Sequence, residues 1–369
     1  MKELLEILKE YREMLKSGEE AVLATVVRVQ GSAYRGPGAR MLWSPERGAT
    51  GFLSGGCLEG DVQEKALEVV ESGRPTLVRY DMTSPDDILW GLGMGCDGIV
   101  DVLIESLPPG DGPDVVKFLD ESIAQRHRSV VAVSYGEGLE IPLGSRLLLR
   151  DNGRVLSDWP RGEPRRRVED HARAVLEEGK GRQVEIEGHP VFLEHVAPPL
   201  RLFVVGAGHD AVPLVETASR LGWSVTVIDH RPAFAQERRF PGAERVECLH
   251  PREAAEKVRL HAGSAAVVMS HNFPKDVEWL GWLLPSAVDY IGALGPSDRT
   301  EKLLQDLREQ GQELEEDQLR RLYGPVGLDI GADSPQEIAL SILAEIRTVL
   351  SGRSGGFLRQ REGPINDRP

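Results

Sequence analysis

Apolar and polar residues alternate along this chain with two different rhythms, and the change comes near residue 200. Residues 3–16 carry Leu4, Leu5, Leu8, Tyr11 and Leu15 at helical spacing, which predicts an amphipathic helix. Ala21 to Val29 is β-branched and strand-like, and a short strand is predicted from Arg40 to Trp43 after the loop Gly31–Gly38. Gly51-Phe52-Leu53 reads as another strand. Leu58 to Val70 reads as a helix stopped by Gly73 and Pro75, and strands follow at 77–80 and 99–105. The run Pro108-Pro109-Gly110-Asp111-Gly112-Pro113 reads as a break. Residues 114–197 alternate short signals: a helix at 115–126, strands at 129–134 and 146–149, a helix at 171–178 and a strand at 184–195.

After Pro198-Pro199 the strands become uninterrupted apolar runs, each followed by a helical stretch. They lie at 202–205, 224–228, 265–269 and 288–291, and a strong helix over 338–350 follows the cap Asp333-Ser334-Pro335. Such runs predict a parallel sheet covered on both faces. The expected fold is therefore α/β: a C-terminal Rossmann-like doubly wound parallel sheet, plus an N-terminal α+β domain. The expected domains are 1–110, then 111–199 as a continuation of the first or a small middle module, then 200–352. A disordered tail is expected over 353–369.

Composition narrows the function classes. The 369 residues carry a net charge of −15, which argues against general binding to nucleic acid or an anionic membrane. No apolar run approaches membrane-spanning length, and the amphipathic start lacks a signal-peptide core. Three cysteines without zinc spacing suit a reducing cytoplasm, which is the expected location. The basic run from Arg161 through Arg165, Arg166 and Arg167 reads as a solvated loop.

Chemistry concentrates in glycine-rich loops. Gly206-Ala207-Gly208-His209-Asp210-Ala211 is a G-x-G-x-x-A turn between strand and helix, with Asp229 ending the next strand. In such a turn the glycines bring backbone close to a phosphate at a helix N-terminus, and the acid takes a ribose hydroxyl. Asp229 on that reading favours NAD over NADP. His271, at a strand end, is a ligand contact or a structural histidine. The loop 292–297, with Gly295 and nearby Arg299, either lines the crevice or caps a helix. Two cysteines sit among glycines: Cys57 in Ser54-Gly55-Gly56-Cys57, and Cys96 in Gly91-Leu92-Gly93-Met94-Gly95-Cys96-Asp97-Gly98. Glycine lets backbone approach a ligand and displays the thiol, so both are candidate cofactor contacts. Arg35 and Arg40 bracket Pro37-Gly38 and are candidate anion ligands. Cys248 has an ordinary strand-like setting and reads as inert.

The runs Gly31-Ser32 with Arg35 to Met41, Ser54 to Gly60, and Trp90 to Gly98 together resemble the XdhC/CoxI family of accessory proteins for molybdenum hydroxylases. Val205 to His209, Asp229-His-Arg-Pro232, Ser270 to Phe273, Tyr290 to Gly295 and Tyr323 to Ala332 are similar to the same family's Rossmann domain. The resemblance implies a non-catalytic or weakly catalytic chaperone, a cofactor-binding maturation factor more than an enzyme. It would bind molybdenum cofactor (molybdopterin), protect it while a cysteine desulfurase supplies sulfur, and insert it into an apo xanthine dehydrogenase-type hydroxylase. Cys57 and Cys96 would then be molybdenum contacts closing over the Rossmann crevice, and a homodimer is plausible. The alternative is an NAD(P)-dependent oxidoreductase with its substrate between the domains.

Overall fold

In a computed structural model, which describes residues 1–82, 98–108, 112–136 and 141–362, the chain divides into a unit of residues 3–198 and one of residues 199–363. The first unit opens with helix α1 (Lys2–Ser17), then strands β1 (Ala21–Gly31), β2 (Arg40–Ser44) and β3 (Gly48–Gly51). Helix α2 (Glu59–Ser72) and strands β4 (Thr76–Asp81) and β5 (Gly98–Leu107) follow. These strands form an antiparallel sheet in the order β3-β2-β1-β5-β4. Helix α3 (Val115–Ala124) leads to β6 (Ser129–Ser134), β7 (Arg146–Arg150), β8 (Val155–Ser157), α4 (Glu163–Glu178), β9 (Arg182–Ile186) and β10 (His189–Val196). A second antiparallel sheet results, β8-β7-β6-β10-β9.

Strand alternation decides what each face covers. On β1, Ala21 and Leu23 join Ile7, Leu8, Phe118, Val131 and Leu148 in a core shared by α1, α3 and both sheets. Val22, Ala24 and Val26 point the other way, onto Val62, Ala66 and Val69 of α2. The second sheet repeats the scheme: Val130, Ala132, Leu147 and Leu149 pack on Val168, Ala172 and Val175 of α4. Both sheets are thus covered on both sides, so these antiparallel strands read as apolar runs rather than as half-polar ones.

The second unit contains β11 (Arg201–Val205), α5 (Ala211–Arg220), β12 (Ser224–Asp229), β13 (Arg245–Cys248), α6 (Pro251–Lys257), β14 (Ser264–Val268) and α7 (Phe273–Leu283). It closes with β15 (Tyr290–Ala293), α8 (Ser297–Glu309), α9 (Glu316–Leu319), β16 (Leu322–Tyr323) and α10 (Pro335–Leu350). Six parallel strands in the order β13-β12-β11-β14-β15-β16 form the doubly wound sheet expected. Separate cores lie on its two faces, one under α5 and α10, the other under α7 and α8.

Local departures from the sequence reading have local causes. The strand expected at 51–53 ends at Gly51, because the Phe52 and Ser54 N–H groups turn to carboxylates of Glu3 and Glu59. Of the basic run expected as a loop, Arg161 lies in the turn before α4, whereas Arg165, Arg166 and Arg167 form its first turns behind Pro164, where a missing N–H costs nothing. The single strand expected over 184–195 is the hairpin β9–β10, turned at Glu187 and Gly188, both with positive φ. β8 and the two-residue β16 are too short to carry a pattern.

Two ion pairs tie the sheets of the first unit together: Arg40 on β2 to Glu194 on β10, and Glu105 on β5 to Arg146 on β7. Glu105 and Arg146 are each 6% exposed, so removing one partner strands a charge in the interior. Burial pushes the Glu105 carboxyl above its ordinary value despite Arg146. Its contribution is therefore complete below the ordinary glutamate range and is lost as pH rises through the raised value. Arg146→Met is predicted to destabilise the unit by about 3–5 kcal/mol in urea unfolding at pH 7. The deficit should shrink at pH 5, and adding Glu105→Gln should recover much of it.

Candidate functional site

In the first sheet the ends of β1, β3 and β4 and the starts of β2 and β5 share one edge, as the antiparallel registers require. Two described connections therefore lie at that edge: residues 32–39 and the Cys57 loop. Cys96 falls in residues 83–97, outside the described residues; its flanking Gly98 pairs with Gly31 at the end of β1.

The Cys57 loop is organised by two side chains. The Glu59 carboxylate accepts the N–H groups of Leu53 (3.0 Å), Ser54 (2.8 Å) and Leu58 (3.2 Å), and the Ser54 hydroxyl at 2.6 Å. The Ser54 Oγ in turn accepts the N–H groups of Gly56 (3.2 Å), Cys57 (2.9 Å) and Leu58 (3.1 Å). Of these donors only the Leu58 N–H, at the N-cap of α2, belongs to the set a helix N-terminus leaves unpaired; the Gly56 and Cys57 N–H groups belong to the loop before it. Burial by itself would raise the Glu59 carboxyl, but the donors from Ser54 and the backbone hold it below its ordinary value. Cys57 is exposed and unpaired with another cysteine, just ahead of α2. Gly56 has φ +108°, and a Cβ at Gly55 or Gly56 would meet nothing within 4 Å, so space is open beside the thiol. Asp61, in the first turn of α2, accepts the Tyr80 hydroxyl at 2.6 Å and pins that turn to the end of β4.

The two candidate arginines sit differently. Arg35 pairs with Glu3 and lies 4.4 Å from the centre of the Phe52 ring. Arg40 is 6% exposed, donating to Glu194 and to the Gly38 carbonyl. Its charge is committed to the tie between the sheets.

At the carboxyl edge of the parallel sheet, Gly206, Ala207 and Gly208 are buried while His209 is exposed. A Cβ at Gly206 would lie 2.5 Å from the Met269 carbonyl oxygen, so only glycine lets the turn pass the end of β14. Asp229 is buried, and its oxygens accept from Ala207 N–H (2.7 Å), Arg231 N–H (2.8 Å), Arg231 Nε (2.9 Å) and Arg231 Nη2 (2.7 Å). Burial opposes its charge, yet these donors leave the carboxyl below its ordinary value. A carboxylate offers about four acceptor positions, and here all are filled from within the chain. Across the crevice, His271 has φ +56° and its Nε2 lies 2.6 Å from Asp210 Oδ2. That pair links the loops after β11 and β14, where the strand order reverses. Gly295 has φ +131° beside Arg299, which donates to buried Asp276 at 2.7 Å; Ser270 also bonds Asp276. Cys248 ends β13 and is exposed.

Sequence reasoning missed the roles of Ser54, Glu59, Arg231 and Arg239. Ser54 and Glu59 stood within the run around Cys57 and Arg231 two residues after the acid of the second Rossmann strand, whereas Arg239 carried no signal. Among the described residues no group of three or more His, Cys, Asp or Glu side chains is placed to hold a metal, and no helix is long and apolar enough to cross a membrane.

Comparison with known proteins places these features. Residues 202–346 match the XdhC Rossmann domain, and residues 14–81 match the XdhC and CoxI family. The chain is 34% identical to a Bacillus subtilis protein named as a probable xanthine dehydrogenase subunit, over 90% of this chain and 94% of that protein. It is 25% identical to the molybdenum cofactor insertion chaperone PaoD of Escherichia coli, over 93% and 87% of the two. A crystal structure described as a xanthine dehydrogenase from Bacillus halodurans superposes with a TM-score of 0.77 and 29% identity, covering 97% of this chain and 98% of that one. Matched at both its glycine-rich edges and along nearly its whole length, the chain belongs to the XdhC and CoxI family.

Proposed function

We propose that this protein is a maturation factor for a xanthine dehydrogenase-type hydroxylase, with molybdenum cofactor as its cargo. It binds the cofactor, supports sulfuration by a cysteine desulfurase, and inserts the product into the apo-enzyme in the cytoplasm. The observation that carries this reading is Cys57, whose thiol faces outward from a loop with its N–H groups turned inward onto Ser54 and Glu59. A thiol held this way is a soft donor suited to a thiophilic metal and needs little ordering when it binds. Cys96 is the second proposed thiol contact, with Gly55, Gly56 and Arg35 beside the cargo. Gly206, Gly208, His209, His271 and Gly295 line the proposed phosphate-binding edge. The likeness to PaoD, named as an insertion chaperone, supports the same reading. A homodimer is part of the proposal. The alternative NAD-dependent oxidoreductase has less support, because a ribose diol would have to displace Arg231 from Asp229.

Protein purified from a host that makes the cofactor is expected to carry molybdenum and pterin in equal amounts. Cys57→Ser should retain about tenfold less, equivalent to about 1.4 kcal/mol of binding, and activate apo-hydroxylase correspondingly less. Equal molybdenum content and equal activation by both proteins would contradict the role of the thiol.

Glu59→Gln replaces two acceptor oxygens by one and a donor, and is predicted to cost about 1–3 kcal/mol in thermal unfolding. It should also speed alkylation of the Cys57 peptide, read by mass spectrometry. Because the Glu59 carboxyl is held low, its stabilisation is present above the ordinary glutamate range and is lost as pH falls through the lowered value. The wild-type loop is therefore expected to loosen only in acid, whereas the variant is loose at neutral pH.

A further inference from the structure

In a doubly wound sheet the end of the second strand meets the ribose of a bound nucleotide, and a free carboxylate there selects the unphosphorylated diol. The corresponding acid here is Asp229, and it is not free. Arg231 closes over it with Nε on Oδ1 and Nη2 on Oδ2, while the Ala207 and Arg231 N–H groups take the remaining positions. What the crevice presents at this point is the outer edge of a guanidinium. Two of its five N–H groups are spent on Asp229, so three remain, and none has an acceptor among the described residues. The side chain is 35% exposed, and its guanidinium carbon stacks 4.0 Å from the centre of the Phe234 ring.

Arg239 lies beside that same ring, 5.2 Å from its centre. It donates to the carbonyls of Ala207 (2.5 Å), Phe234 (2.9 Å) and Gly208 (3.3 Å), which belong to the glycine turn and its neighbour. No carboxylate among the described residues pairs with it. Arg231 and Arg239 set two guanidinium groups against the one carboxylate of Asp229 around the Phe234 ring, while the turn's own Asp210 faces His271. A planar guanidinium with free N–H groups, backed by a second arginine, matches a dianionic phosphate bidentately and gains much less from a neutral diol, whose oxygens can accept only ordinary hydrogen bonds.

We infer that the crevice of the second unit selects ligands that carry a phosphomonoester, with Arg231 as the specificity-determining residue and Arg239 as its electrostatic support. The inference stands whether or not the cargo reading is correct. The terminal phosphate of molybdopterin and the 2′-phosphate of NADP present the same chemistry, and the experiment separates them.

Binding of NADPH and NADH to the full chain is compared by nicotinamide fluorescence, and binding of molybdopterin and its dinucleotide form by pterin fluorescence. Each pair differs by a phosphomonoester. In at least one pair the phosphomonoester form is expected to bind about tenfold or more tightly, and the pair that discriminates identifies the source. Arg231→Gln should abolish the preference and, by freeing Asp229, improve NADH binding; Arg231→Lys should keep part of it. An unchanged melting transition establishes that each variant is folded. Equal affinity within both pairs, absence of binding by all four ligands, or an unchanged preference in folded Arg231→Gln would overturn the inference.

Discussion

A carboxylate withdrawn from water survives only if its lone pairs are filled, and this requirement shapes both glycine-rich edges of the protein, around half-buried Glu59 and buried Asp229. Asp229 ends the second strand of the parallel sheet with a backbone N–H and three donors of Arg231 around it. Because one of those donors is the Ala207 N–H, the glycine turn after β11 is fixed to the end of β12, and Arg239 then fastens its carbonyls. Glu59 plays the corresponding part in the first unit, gathering the N–H groups that lead into α2. In each case the acid serves as an anchor for backbone, and the groups left facing outward are the reactive ones: a thiol at one edge, guanidinium N–H groups at the other.

The framework behind the thiol follows from sheet topology. The order β3-β2-β1-β5-β4 brings the connection 32–39 and the Cys57 loop to one edge, and the cores on either face of the first sheet lie behind it. The pairs Arg40–Glu194 and Glu105–Arg146 cross between the sheets where an all-apolar interface would leave their relative register to side-chain packing alone. Arg40 is thereby a framework residue. Its position in the sequence, beside Arg35 and Pro37-Gly38, gave no sign of that, because its partner lies 154 residues away.

Much of the fold was legible because the periodicities are strong. The strands at 202–205, 224–228 and 265–269 stand within one residue of β11, β12 and β14, since strands buried on both faces are apolar throughout. The cap at Ser334 was legible for a local reason too: Ser334 and Glu337 form a capping box. The candidate sites were legible only as motifs. Sequence placed Gly206, Gly208 and Asp229 in a nucleotide-binding turn but could not show that Asp229 is closed by Arg231, because that depends on a side-chain torsion. Likewise Cys57 was visible as a displayed thiol, whereas the inward turn of its neighbours' N–H groups onto Ser54 and Glu59 is a property of the folded loop.

Contact between the Cys57 thiolate and the metal of the cargo is the central claim, and molybdenum K-edge X-ray absorption of the loaded protein tests it most directly. The account predicts a sulfur scatterer at thiolate distance, additional to those of the pterin, that is present in wild type and lost in Cys57→Ser loaded to the same level. An identical sulfur shell in the two proteins would contradict it.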